Sequence, residues 1–123
     1  MPLICYDLRF PVWSRNTEDY DLLIYIANFP ERRNYAWKSL LIARAIENQA
    51  YTIGVNRVGN DGNDIYHSGD SCLIDYAGQV VHQVCHLENV FTTSLSYQSL
   101  LEFRARFAFL QDRDQFEWKE RLK

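Results

Sequence analysis

The run Asp21-Leu22-Leu23-Ile24-Tyr25-Ile26-Ala27 sets six apolar side chains in succession, with no polar residue marking an outward face. Side chains alternate across a strand, so a strand apolar at every position needs cover on both faces. Strands of this kind belong to parallel sheets in α/β layers; an all-helical or one-sided antiparallel fold has no place for this one. Asn28-Phe29-Pro30 ends the run.

The flanking segments agree with an α/β layer. Leu3 to Tyr6 reads as the end of a buried strand, and Phe10 to Asn16 as a short helix entered through Pro11, whose missing N–H would be unpaired in a first turn anyway. Asn34 to Gln49 carries the strongest helical signal, with Trp37, Leu40, Leu41, Arg44 and Asn48 on one side at spacings of three and four. Tyr51 to Val58 is a further strand, and Gly59-Asn60-Asp61-Gly62-Asn63 a turn by composition. Ser71 to Asp75 and Gln79 to Val84 form a hairpin around Tyr76-Ala77-Gly78, Val90 to Leu95 a last strand, and Tyr97 to Phe107 a helix. The expected fold is therefore α/β, a mixed sheet with parallel strands at its heart, helices on one face and a hairpin toward one edge. One helical layer would leave the other apolar face bare, and a bare face of that size needs a partner.

A chain of 123 residues with 47% apolar residues holds one domain with a real core. The formal charge of −3 is spread along the chain, without the basic patch that nucleic-acid binding requires. No apolar stretch approaches the roughly 20 residues that span a bilayer, and no secretory leader pattern is visible at Met1, so neither a nucleic-acid nor a membrane partner is expected. Three widely spaced cysteines cannot all pair with one another; reduced thiols in a cytoplasmic protein are the expectation.

Cys5 is the residue with the most chemistry. It closes the apolar run Met1-Pro2-Leu3-Ile4 and opens Cys5-Tyr6-Asp7-Leu8-Arg9-Phe10-Pro11. A free cysteine after a hydrophobic run is often only a small core residue. A strand-to-helix turn, however, brings backbone N–H groups close to the sulfur, where they favour the thiolate and can hold an oxyanion. Asp7 and Arg9 sit on alternate positions just beyond and could brace the turn as an ion pair.

Cys5 to Pro11 closely resembles the nucleophile segment of the nitrilase superfamily, the carbon–nitrogen hydrolases with a Glu-Lys-Cys triad. Arg44-Ala45-Ile46-Glu47-Asn48-Gln49-Ala50-Tyr51 resembles the helix-to-strand signature downstream of it. Asn56-Arg57-Val58-Gly59, His67-Ser68-Gly69-Asp70-Ser71 and Asp75-Tyr76-Ala77-Gly78 complete the series in order. Within the superfamily the chain looks most like the ω-amidase branch, which hydrolyses the terminal amides of 2-oxoglutaramate and 2-oxosuccinamate; Phe107-Ala108-Phe109 and Asp112-Arg113-Asp114 fit that branch. The resemblance covers only the C-terminal half of a family member. It implies half of an α-β-β-α sandwich over residues 1–110; the charged tail at 111–123 keeps Phe116, Trp118 and Leu122, which read as docking residues.

The resemblance also implies roles. Cys5 would attack an amide carbon, form a thioester and release ammonia, with the Tyr6 backbone N–H as one oxyanion donor. The family's glutamate base and lysine precede the cysteine, and no residue here matches either, so the isolated chain is expected to be inactive. Glu47 and Lys38 are the available substitutes; Glu47 follows Arg44 by three on one helix and reads better as an ion-pair partner, and Lys38 as a solvated cation. Asp7, Arg44 and Glu47 are thus structural supports. Asn28 and Phe29 follow the second strand and would flank the cysteine turn as substrate contacts, together with Arg9 for a substrate carboxylate. Equally, Asn28 can be a polar cap and Phe29 an apolar plug, and Arg9 reads better as a partner for Asp7 or another local acid. His82, Cys85, His86 and Cys72 do not make a tetrahedral set, since His82 and His86 share a strand face while Cys85 points away. No metal and no cofactor is therefore expected. The expected partners are a small amide substrate and, for the bare sheet face, further copies in a homo-oligomer. The alternative function is a non-catalytic assembly half that self-associates or pairs with an N-terminal half.

Overall fold

The computed structural model describes residues 1–117. In chain order it runs β1 (Pro2–Ile4), a 3-10 turn (Cys5–Arg9), α1 (Pro11–Ser14), β2 (Leu22–Ala27), a 3-10 turn (Glu31–Arg33), α2 (Asn34–Asn48), β3 (Tyr51–Asn56), β4 (Val58–Asn60), β5 (Tyr66–Ser68), β6 (Ser71–Ile74), β7 (Val80–Val84), α3 (Tyr97–Arg106) and a last 3-10 turn (Phe109–Asp112). Five strands form one sheet in the order β1-β2-β3-β6-β7, and β4 with β5 make a separate two-stranded ribbon. The first three strands are parallel, and β6 and β7 continue the sheet antiparallel. This is the expected mixed sheet with its hairpin at one edge. Asp75 fixes the hairpin turn by accepting the Ala77 and Gln79 N–H groups at 2.9 and 2.8 Å, and Gly78 takes the left-handed φ of 87° that the turn needs.

Helix α2 explains one face of the sheet. Trp37, Leu41 and Ala45 project from it, fully buried, onto Leu23, Tyr25 and Ile74. Burying Trp37 or Leu41 is worth on the order of 2 kcal/mol each. The helix lies so close that a Cβ on Gly54 of β3 would stand 2.5 Å from Leu41 Cδ1 and 2.7 Å from Trp37 Cζ2. Gln49 ends α2 at φ 44°, in the left-handed C-terminal geometry that turns the chain directly into β3.

The opposite face is covered at one end only. Leu100 of α3 packs there on Tyr51 and Leu73, with Leu22 and Ile53 beside them. Toward the carboxyl ends of the parallel strands, Ile4, Ile26 and Val55 are paired across β1, β2 and β3 in one row. They are 70%, 58% and 48% exposed. Thus the two-sided apolar character of 21–27 is real, yet only one of its sides is fully packed among the described residues.

Three local expectations are corrected. The strand expected to run from Tyr51 to Val58 breaks at Arg57, because Asn56 turns its side chain into hydrogen bonds with Phe29 and Gly69; Val58 starts the β4–β5 ribbon instead. Gly59 and Asn60 belong to that ribbon, and the turn follows at Asp61, whose side chain accepts the Asn63 and Ile65 N–H groups. Val90 to Leu95 is not a strand. Val90 is 90% exposed, and the segment pairs with no strand among the described residues, although β7 ends the sheet with an open edge. Of the tail residues expected to dock, Phe116 is partly exposed, while Trp118 and Leu122 lie outside the described residues. Arg113 anchors the start of the tail through a 2.7 Å ion pair with Asp19.

Candidate active site

Cys5 stands immediately beyond the carboxyl end of β1, at the first position of the 3-10 turn. Its φ is 40°, in the left-handed region that a residue with a Cβ enters only when its surroundings hold it there. The holding contacts are specific. Asp7 Oδ2 accepts the Ile4 N–H at 3.0 Å, Leu8 is fully buried in the core, and Arg44 Nη2 donates to the Leu8 carbonyl at 2.6 Å. Cys5 itself is half-buried and packs against the core cluster containing Ala27 and Phe29. The Tyr6 N–H precedes the first internal hydrogen bond of the turn, so the helix geometry leaves it available beside the sulfur. The Tyr6 side chain is exposed and meets Phe10 edge-on at 5.1 Å. The expected Asp7–Arg9 ion pair is absent among the described residues: Asp7 serves the backbone of Ile4, and the Arg9 guanidinium lies over the Phe29 ring, 5.5 Å from its centre.

The segment Arg44–Gln49 acts as a clamp on this turn and its surroundings. Arg44, 3% exposed, joins Leu8 to the Glu47 carboxylate, which it meets at 3.0 Å. Asn48 receives the Asn16 N–H on Oδ1 at 2.9 Å, and its carbonyl accepts from Asn16 Nδ2 at 3.0 Å. Gln49 Nε2 donates to the Phe107 carbonyl at 2.7 Å, and Arg104 Nε returns a bond to the Gln49 carbonyl at 2.9 Å. Glu47 therefore lies at the end of α2 that feeds the start of β3, across the sheet's length from Cys5, which follows the end of β1. It does not meet the thiol. Lys38 pairs with Asp70 at 3.6 Å.

Asn28 and Phe29 follow β2, the neighbour of β1, as the order of elements requires. Asn28 is exposed, whereas Phe29 is buried, its ring 5.4 Å from that of Trp37. The plug describes the Phe29 side chain. Its backbone is fixed by Asn56, which accepts the Phe29 N–H at 2.7 Å and donates to the Phe29 carbonyl at 2.9 Å and the Gly69 carbonyl at 2.7 Å. Asp70, buried at φ 52°, gathers Ser68 at 2.6 Å and Gln83 at 2.9 Å, and its carbonyl accepts the Trp37 Nε1–H at 2.9 Å. In the sequence Asn56 and Asp70 stand only within motifs, with no task of their own. The signal was there: a polar residue ending an apolar strand, and an Asp after Gly in a run too tight for an ordinary loop.

The other thiols differ from Cys5. Burial pushes the Cys72 thiol up to about 11, which keeps it protonated and unreactive at neutral pH. Cys85 is exposed. His82 stacks on Phe91 at 3.6 Å, and His86 shares a 2.8 Å hydrogen bond with the Tyr66 hydroxyl. The expectation that His82 and His86 share a strand face fails because β7 stops at Val84 and His86 takes a φ of 60°. A groove of about 530 Å³ lies on the open sheet face between β3, β6, β7 and residues 87–95, and Cys5 does not line it.

Residues 2–105 match the carbon–nitrogen hydrolase family. The chain is 50% identical over 117 residues to omega-amidase YafV of Escherichia coli (strain K12), covering 94% of this chain and 46% of that protein. It is 37% identical over 112 residues to the 2-oxoglutaramate amidase of Bacillus subtilis, covering 89% and 43%. The chain thus spans about half the length of the curated relatives it matches. Among solved structures, XC1258 from Xanthomonas campestris, a CN-hydrolase superfamily protein with an arsenic adduct in its active site, superposes with a TM-score of 0.93 at 48% identity. That match covers 96% of this chain and 48% of XC1258.

Proposed function

From the premise that this chain belongs to the carbon–nitrogen hydrolase family, we propose that it carries the nucleophile of an amidase acting on short ω-amides of 2-oxo acids. The observation that carries this reading is Cys5, held at φ 40° just past the carboxyl end of a parallel strand. That position lies at the strand ends, where ligands of open α/β sheets bind. Sulfur attacks the amide carbon, and the resulting oxyanion lies within reach of the Tyr6 N–H. The intermediate collapses with the former thiol proton delivered to nitrogen, so ammonia leaves and a thioester remains. Water then adds to the thioester and returns the free thiol and a carboxylic acid. A base and a second oxyanion donor, glutamate and lysine in this family, come from the region of the relatives that the chain does not span. The 123 residues alone are therefore inactive. In a full-length protein carrying this segment, ammonia release from 2-oxoglutaramate should vanish in Cys5→Ser; retained turnover would overturn the assignment.

A second reading, an assembly half, is favoured by one specific observation, the exposed row Ile4-Ile26-Val55. Apolar side chains aligned on three paired strands form a face that association would cover. On this reading the 123-residue chain self-associates or pairs with a complementary half, and Ile26→Lys weakens that association. A monomer by light scattering that binds no apolar dye would contradict it.

A further inference from the structure

The segment that leaves β2 is held from the end of β3. Ile4 pairs with Ile26, so the cysteine turn and residues 27–29 leave the sheet side by side. Cys5 packs against the cluster that contains Ala27 and Phe29. The Ala27 carbonyl accepts the Arg57 N–H at 3.2 Å. Asn56 Oδ1 accepts the Phe29 N–H at 2.7 Å, and Nδ2 donates to the Phe29 carbonyl at 2.9 Å. A side-chain amide thus stands where a strand backbone would, and Asn28 is left exposed between two fixed residues.

The clamp is itself anchored at one turn. Asn56 Nδ2 also donates to the Gly69 carbonyl at 2.7 Å. Trp37, whose ring lies 5.4 Å from that of Phe29, donates from Nε1 to the next carbonyl, that of Asp70, at 2.9 Å. Gly69 and Asp70 have φ of 76° and 52°, and these left-handed conformations set two successive carbonyls against Asn56 and Trp37. The Asp70 carboxylate is tied in turn to Ser68, Gln83 and Lys38. From β6, Ser71 Oγ accepts the Asn56 N–H at 2.9 Å. The cysteine turn hangs on different residues, Asp7 and Arg44. The two sides of the site are therefore held independently.

We propose that Asn56 is a positioning residue of the amidase: it fixes residues 27–29 as the wall against which the substrate lies beside Cys5. It governs binding and leaves the reactivity of the thiol alone. This rests on the amidase reading and deepens it by naming what keeps that wall in place. Such a wall touches substrate and transition state alike, so its displacement weakens both equally and appears in KM rather than in kcat.

The test compares wild type, Asn56→Ala and Ser71→Ala in a full-length protein carrying this segment. Asn56→Ala should raise KM for 2-oxoglutaramate by about 10-fold, with kcat per folded molecule nearly unchanged. Ser71→Ala keeps the clamping side chain and removes only its backbone support, so it should raise KM by about 2- to 5-fold. It decides the matter by itself if Asn56→Ala does not fold. Iodoacetamide should alkylate Cys5 at the wild-type rate in both variants. The product 2-oxoglutarate should slow that alkylation in wild type and require about 10-fold more in Asn56→Ala. A fall in kcat at unchanged KM, or an altered alkylation rate without product, is what a merely structural residue gives, and either would overturn the proposal. An unchanged KM in the folded variants would overturn it as well. A wild type that neither releases ammonia from 2-oxoglutaramate nor is protected by 2-oxoglutarate would instead overturn the amidase reading.

Discussion

Arg44 reaches from the C-terminal third of α2 to the Leu8 carbonyl with a 2.6 Å hydrogen bond, so one buried cation ties the helix to the turn that starts at Cys5. The same guanidinium meets Glu47 at 3.0 Å. The position of the thiol is therefore linked to α2 by a contact that a sequence pattern shows only as a motif. Replacing Arg44 with Met keeps most of the packing volume and strands the Leu8 carbonyl. We expect a loss of about 1–3 kcal/mol in urea unfolding, with Cys5 alkylated at a changed rate because its turn is no longer held. An unchanged midpoint and rate would show that the link carries nothing.

Gly54 makes a sharper packing prediction. A Cβ there would lie inside contact distance of Leu41 and Trp37, both fully buried side chains of α2. Gly54→Ala should cost about 1–3 kcal/mol, since the helix must move outward or the side chains must leave their rotamers. A thermal melt compared with wild type measures it; a neutral or stabilising effect would mean that α2 packs farther from the sheet.

The Cys72 thiol predicts a pH dependence with a definite sign. Burial raises it from 9.0 to about 11 in the folded chain, so between those values the folded state holds a proton that the unfolded state has lost. Its contribution to stability is complete below pH 9 and disappears as the pH climbs to about 11. Burial also raises Tyr20, Tyr25 and Tyr51, which steepen the same decline at higher pH. Urea midpoints should fall across this window, and Cys72→Ala should flatten the fall from its lower end. Parallel profiles for the two proteins would contradict the buried thiol.

The same burial predicts selectivity among the cysteines. At neutral pH, iodoacetamide should modify Cys5 and Cys85 in the folded chain and reach Cys72 only after denaturation. Peptide mapping by mass spectrometry reads this directly, and modification of Cys72 under native conditions would be inconsistent with its place in the core.

Much of this fold was legible because its periodicities are strong. The unbroken apolar run of β2, the three-and-four spacing of Trp37, Leu41 and Arg44, and the Asp75–Gly78 turn each specify one local structure, and each formed. The failures have a common physical origin in tertiary demands on single residues. Asn56 looked like one more strand position, yet its side chain was needed by Phe29 and Gly69 and ended β3. Val90 to Leu95 has the composition of a strand, but the segment makes no ladder with β7, the edge strand it lies beside, and contacts it through side chains such as Phe91 on His82. At the candidate site, Cys5, Arg9 and Phe29 could be named from the chain, whereas the approach of Arg33 to the same ring could not. That approach depends on how the turn after Pro30 folds back, which no local pattern states.

Cys5, as the covalent centre, should carry the acyl group during turnover. The most direct measurement is to mix a full-length protein carrying this segment with 2-oxoglutaramate, quench in acid within the first turnover, and map the mass increment by peptide. The acyl group should be found on the peptide that contains Cys5, sensitive to hydroxylamine as a thioester is, and should be missing in Cys5→Ser. An acyl group on Cys72 or Cys85, or ammonia released at the wild-type rate by Cys5→Ser, would contradict it.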